Sequence, residues 1–519
     1  MLHHWSARLV PAALAFALLT GCAGLGESPR VVVGMSDDVL STDPASGYDP
    51  GSWMLFNNVF QSLLGFPSGR TDPEPDAAEA CSFTDEHARV YKCVLKEGLE
   101  FSNGDPLTAE DVRFSFNRTL QIGDTAGPAV MFSTLDRIET PDDRTVIFQL
   151  KVPDATFPSK IASAAGSIVD HQEYDRRNLR KDGGAVGSGP YKLDRFSNGE
   201  AVFSVNERYK GNARVKNSGV TLRFFRGNRV ALQRALLDDE VDVAYRGLSA
   251  QDISDIDLRA DRKDVEIVEG SSAEVQHLVF NMRDPVAGNL AVRRAIAYLL
   301  DRDALVTEIY RDTAVPLYSI VPAGIDGHTT AFFDTYGGRP SRAKAAAELR
   351  ADGITDKVRL TLRSTPVRYG PATDQELEAI AEQLNGSGLF DAKVKSVPFD
   401  QYEQDIADGK YGVYVKGWVP DYPDADNFTA PFFGEGNVLG NHYANRAVTD
   451  RLIPLTAAES SRTDAGEAFG EIQDIVARQV PVLPVWQAKQ YAVVRDGVHG
   501  VDHCLDASTV FRFWELSRE

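Results

Sequence analysis

Gly417-Trp418-Val419-Pro420-Asp421-Tyr422-Pro423-Asp424-Ala425-Asp426-Asn427-Phe428 follows directly on the apolar, aromatic run of residues 411–415. A strand that ends in Gly-Trp and then turns through two prolines and three aspartates sets one carboxylate beside an indole, where a wall of the fold meets a loop. Such a place suits a cation in a partly dry cleft, because the ring lowers the local dielectric and opposite charges then attract more strongly than in water. The same residues also read as a Pro/Asp-rich surface turn with Trp418 in the core. A calcium loop fits poorly, since the spacing lacks the glycine at the sixth position and the distal bidentate glutamate of an EF-hand.

Around this stretch, helices predicted at residues 341–352 (Ser341 as N-cap, Gly353 after it) and 374–385 alternate with strands at 358–363 and 393–397, an α/β pattern. Upstream, the spacing of Val292, Ile296, Leu299, Ala304 and Ile309 predicts one helix over residues 291–310. Thr108 with Asp111 three residues on marks another helix start, followed by Val112, Phe116 and Leu120. Strands are expected at 146–152, 191–196, 201–205, 220–225 and 240–245, with a short helix at 229–237. Residues 275–281 are apolar and extended, able to carry the chain from one domain to another. A helix over 464–478 precedes extended segments at 480–485, 491–494 and 510–514. Pro/Gly-rich stretches at 66–75 and 183–190 read as boundaries.

A chain of 519 residues exceeds what one hydrophobic core usually supports, so two or three domains are expected. The formal charge is −20, an acidity that repels nucleic acid and anionic headgroups. Residues 10–19 form an apolar run too short to span a bilayer but long enough for a secretory signal, and Leu19-Thr20-Gly21-Cys22 is similar to the bacterial lipobox. Residues 23–30 then read as a tether, and attachment to the membrane is expected through lipid on Cys22 only. In an exported protein, Cys81 and Cys93 flank a polar turn between extended segments and are expected to form a disulfide; Cys504 is left as a buried free thiol.

Six collinear stretches resemble the dipeptide- and oligopeptide-binding lipoproteins of bacterial ABC importers, the family 5 extracellular solute-binding proteins. They are residues 95–112 (LKEGLEFSNGDPLTAEDV), Gly187-Ser188-Gly189-Pro190-Tyr191, Phe280-Asn281-Met282, Val292-Arg293-Arg294-Ala295-Ile296 with Asp301-Arg302, the opening stretch, and residues 481–486 (PVLPVW). The resemblance implies an α/β, periplasmic-binding-protein-like Venus flytrap (type II, cluster C), two α/β lobes plus an inserted extra domain. Domain I would comprise 31–69, 188–275 and 488–519, domain II 70–187, and domain III 276–487, with a hinge near 275–282 and 484–490.

The resemblance also assigns roles. Asp421, the acid of Gly-Trp-x-x-Asp, would meet a peptide's α-ammonium, and Gly417 and Trp418, with the segment at Asn281, would bond to peptide backbone. Arg368 is the candidate for the ligand's carboxylate, and Tyr48 and Tyr414 are candidates to line the cleft. Pro420 departs from the Ala or Gly that close members often carry there. The expected partners are a peptide and the permease subunits of an ABC importer, reached by a lipid-anchored monomer on the outer face of the cytoplasmic membrane. A non-peptide solute (oligosaccharide, opine or metal chelate) is the alternative. No cofactor or resident metal is expected, as the mature histidines form no recognisable ligand set. A hydrolase using Asp421 and Asp424 is the distant alternative; it needs carboxylates across a cleft, which one loop does not easily supply.

Overall fold

The structure, a computed structural model, describes residues 29–258, 264–366 and 368–519. The signal segment, Cys22 and the tether up to residue 28 lie outside the described residues.

The chain is organised by two antiparallel strands, Val265–Phe280 and Val482–Arg495, of 16 and 14 residues. At about 3.3 Å per residue each extends for about 50 Å, far beyond an ordinary strand. Residues 265–271 pair with 489–495, and from there the sheet continues through Val243–Tyr245, Val31–Met35, Gly219–Phe224, Glu200–Val205 and Tyr191–Phe196. Residues 275–279 pair with 482–487, and on that side the sheet continues through Val413–Trp418, Val358–Ser364 and Phe390–Ser396. The first set of strands belongs to one lobe, the second to another, and a two-stranded ribbon joins them. Its register slips between Ser271 and Val275 and again between Gln276 and His277. Gln487 donates from Nε2 to the Ser272 carbonyl at 2.7 Å, so the irregular backbone stays satisfied.

Each lobe has its own core. The second is built from residues between Ala273 and Trp486, including the ribbon residues Val275, Leu278, Val279 and Phe280, all fully buried. Polar residues such as Gln487, Lys489 and Gln490 interrupt the apolar pattern, which is why the sequence shows two extended segments where the structure has one strand.

A separate antiparallel sheet orders Ala78–Phe83, Val90–Leu95, Thr145–Leu150 and Leu135–Glu139. Cys81 lies directly opposite Cys93 and the two form a disulfide; closing a loop of this size stabilises by about 3 kcal/mol. Helix Ala109–Ile122 covers this unit and starts with the Thr108/Asp111 capping box. From it Arg118 reaches Asp43 of the first lobe through two bonds, 2.7 and 2.6 Å, with both side chains fully enclosed.

Two expectations are corrected. Residues 291–310 form two helices, Leu290–Leu299 and Arg302–Glu308. Leu300 is extended, Asp301 caps the second helix by accepting from the Ala304 N–H at 3.0 Å, and its own N–H donates to Gln383 Oε1 at 2.9 Å. A cap residue inside a helical apolar pattern restarts the helix. Residues 510–514 are not a strand; they turn into a short 3-10 helix at Phe513–Glu515, held by Arg512, whose guanidinium pairs with Asp506 at 2.9 Å. Cys504 is buried and free, its thiol pushed up to about 12 by burial.

Candidate functional site

Tyr48 is the residue before the N-cap of helix Pro50–Val59, where Asp49 accepts from the Ser52 N–H at 2.9 Å. Its position is set by close packing: a Cβ on Gly47 would lie 2.6 Å from Ser52 and 2.7 Å from the Phe56 ring, so the turn requires glycine. Trp53 supports the phenol, with ring centroids 5.5 Å apart.

Across from it, in the second lobe, strand Val413–Trp418 ends where the Pro/Asp turn begins. Asn427 organises that turn, its Oδ1 accepting from Trp418 Nε1 at 2.8 Å and from the Asp421 N–H at 3.3 Å. Asp421 is half-buried and accepts a hydrogen bond from the Tyr48 hydroxyl, joining residues 373 apart in the chain. Burial raises its carboxyl above the ordinary range, opposed by the bonds from Tyr48 and Asn427 and by the charge of Lys160. Among the described residues Asp421 has no ion-pair partner within bonding distance, so this half-buried carboxylate, bonded by the neutral Tyr48 hydroxyl, keeps capacity for a cation.

The strand leading to it offers backbone groups. Val415 exchanges bonds with the Tyr402 hydroxyl, its N–H at 3.0 Å and its carbonyl at 2.7 Å, so its polar groups point away from Val265–Phe280. By the alternation of an antiparallel ladder those of Gly417 point the same way, and Val358–Ser364 pairs with this strand only at Val413 and Tyr414. Among the described residues no named strand pairs with Gly417 on that side, where the Tyr369 ring lies 3.0 Å from the place a Cβ on Gly417 would take.

Two cavities flank this end of the strand. One, of about 300 Å³, lies between the lobes and is bordered by Arg246, Glu274, Tyr310, Val419 and Trp486. The other, of about 230 Å³, lies in the second lobe and is bordered by Gly417, Trp418, Arg368 and His277. The structure thus brings Tyr48 to Asp421, and Gly417, Trp418 and Arg368 to one cavity.

It does not bring Asn281 or Tyr414 there. Asn281 is buried, donates to the Tyr411 and Gly409 carbonyls at 3.0 and 3.3 Å, and follows Phe280, which pairs with Val413. That register sets it at the strand end remote from Trp418, about 17 Å away at five residues' rise. Tyr414 is 1% exposed and donates to the Leu439 carbonyl at 2.8 Å, a core residue. Asp424 is held by Arg462 through two bonds of 2.8 Å, while burial raises the carboxyl of Asp426 in the same turn to about 6.

Sequence reasoning missed Arg246 and Glu274. Arg246 follows strand Val243–Tyr245 in a left-handed turn (φ 54°, then 103° at Gly247), and its Nε pairs with Asp37 at 2.5 Å. Glu274 sits on the ribbon's irregular segment; burial raises its carboxyl, and Arg246 pulls it down. The Arg-Gly pair after a strand was the available signal for the first; nothing local signals the second. A third acid, Glu376, is fully buried and accepts from Trp486 Nε1 at 3.0 Å, Gln276 Nε2 at 2.9 Å and the Tyr310 hydroxyl, tying helix Thr373–Gly386 to both ribbon strands.

The model of the bacterial extracellular solute-binding proteins, family 5 Middle, matches residues 72–440. Probable D,D-dipeptide-binding periplasmic protein DdpA of Escherichia coli K12 is 26% identical over 489 residues, 91% of this chain and 90% of the relative. Dipeptide-binding protein DppE of Bacillus subtilis 168 is 23% identical over 493 residues, 90% and 88% of the two. Among solved structures, HbpA2 from Haemophilus parasuis superposes with a TM-score of 0.82 at 21% identity, covering 94% of this chain and 100% of that one. With two lobes joined by a ribbon and a family match across most of its length, the chain belongs to the family 5 bacterial extracellular solute-binding proteins, whose work is binding and not catalysis.

Proposed function

We propose that this protein captures peptides between its lobes, with Asp421 receiving the α-ammonium, and hands them to the membrane subunits of an ABC importer. The observation that carries the reading is a half-buried carboxylate without an ion-pair partner among the described residues, four positions after a glycine whose outer side no named strand pairs among those residues. The first answers an amine, the second a peptide backbone. Relatives described as dipeptide-binding support the peptide class. Arg368, exposed and beside the same glycine, is the proposed partner for the ligand's carboxylate. In this reading residues 31–69, 188–275 and 488–519 form domain I, 70–187 domain II and 276–487 domain III.

A tripeptide with a free amine at about 100 times its Kd should stabilise the protein by about 2.7 kcal/mol in thermal unfolding, and its N-acetylated form should do little. Equal shifts would remove Asp421 as the amine anchor. No shift with either would turn the search to an oligosaccharide, opine or metal chelate.

The site would work at the outer face of the cytoplasmic membrane, held by lipid on Cys22 of Leu19-Thr20-Gly21-Cys22. Two or three acyl chains suffice for stable attachment, at about 0.8 kcal/mol per buried CH₂. Cys22→Ser should move the protein from the membrane fraction to the soluble one; continued membrane retention would refute the anchor.

A further inference from the structure

Whole-ligand pockets usually exceed about 300 Å³, so the cavity of about 230 Å³ beside Trp418 is the size for one side chain. Its walls are aromatic: Trp418 and Phe432 meet edge to face with centroids 5.2 Å apart, and Tyr369 and Phe399 line it too. Among these apolar groups lies His277. It is 1% exposed, its ring stands edge-on to Phe432 at 5.8 Å, and neither ring nitrogen has a hydrogen-bond partner among the described residues. Burial pushes the imidazole down to about 3, so near neutral pH it presents one N–H donor and one bare acceptor.

Among the other charged groups at the cavity, Lys416 and Glu403 pair with each other, and the exposed Arg368 keeps its N–H groups for the ligand's carboxylate. Lys416, opposite His277 in the strand register, holds both oxygens of Glu403 at 2.8 Å. The Arg368 guanidinium lies over the Phe399 ring at 5.1 Å. A buried, unanswered nitrogen costs stability, and a ligand group that pairs with it recovers that cost only when bound. A hydroxyl suits either tautomer, because it rotates to donate or accept.

Resting on the peptide reading above, we propose that this cavity is a specificity pocket for one side chain of the bound peptide, an aromatic ring that ends in a hydroxyl, with His277 as the group that reads the hydroxyl. The geometry supplies ring faces for the ring and one unpaired imidazole for its tip. An analogue that lacks the hydroxyl fills the same space and leaves His277 unanswered, which is how a site built for a hydrogen bond discriminates.

The test is calorimetric titration of the mature protein with six tripeptides, all alanine except for one Tyr or one Phe at the first, second or third position. At one position Tyr should bind at least about tenfold more tightly than Phe, and that ratio should fall toward 1 in His277→Leu. A ratio near 1 at every position in the wild-type protein overturns the proposal, whether or not the variant folds. A preference that survives in a folded His277→Leu protein overturns it as well. If none of the six binds, the peptide reading itself fails and this inference falls with it.

Discussion

With Asp421 replaced by Asn, an unblocked peptide binds more than a hundredfold more weakly, while the unliganded protein is no less stable than wild type. A buried pair that loses one charge typically costs about 3 kcal/mol or more, and 1.4 kcal/mol is tenfold in affinity. Stability moves the other way. Because burial raises the Asp421 carboxyl, its contribution to folding is greatest while it is protonated, below the ordinary carboxylate range, and is lost as pH rises through the raised value. At neutral pH the charged form therefore burdens the empty protein, and an amide relieves it. The Tyr48 hydroxyl still finds an oxygen to donate to. Titration calorimetry and urea unfolding check the two halves. Undiminished affinity would remove Asp421 from the site; a sharp loss of stability would make it a structural residue.

The second large effect is on folding. Arg118→Met should lower stability by about 3–5 kcal/mol, since Asp43 would stay enclosed with its main charge partner gone. Arg118 also donates from Nε to the Asp175 carbonyl at 2.6 Å and from Nη2 to the Asn178 carbonyl at 2.9 Å, so one side chain fastens the disulfide-bearing unit to the first lobe. Adding Asp43→Asn should recover part of the loss, because it removes the orphaned charge. Urea denaturation of the single and double variants measures both, and a loss under 1 kcal/mol for Arg118→Met would contradict this account.

The fold was legible where local signals agree with one another. Thr108 and Asp111 mark a helix start by residue type alone, and the alternation of helix and strand around residues 341–397 predicts the second lobe's architecture. The long ribbon was not legible, because Gln487, Lys489 and Gln490 and the irregular Ser272–Glu274 segment break its apolar pattern while tertiary bonds keep it extended. At the site, Asp421, Trp418 and Gly417 stand in one readable stretch, and Tyr48 joins them from far away. Asn281 and Tyr414 have the residue types of ligand-contacting groups, but strand register directs the first to the wrong end and the second into the core. His277 sits in an apolar run that reads as ordinary core, and only the absence of partners around it among the described residues sets it apart.

The ribbon has one more consequence. Its two strands stay laddered on either side of residues 272–274, so any change in the angle between the halves of the molecule concentrates at those few backbone positions and at the Gln487 amide that bridges them. Substitutions there would bias the angle between the two halves, and so adjust the grip on cargo through the backbone of the ribbon.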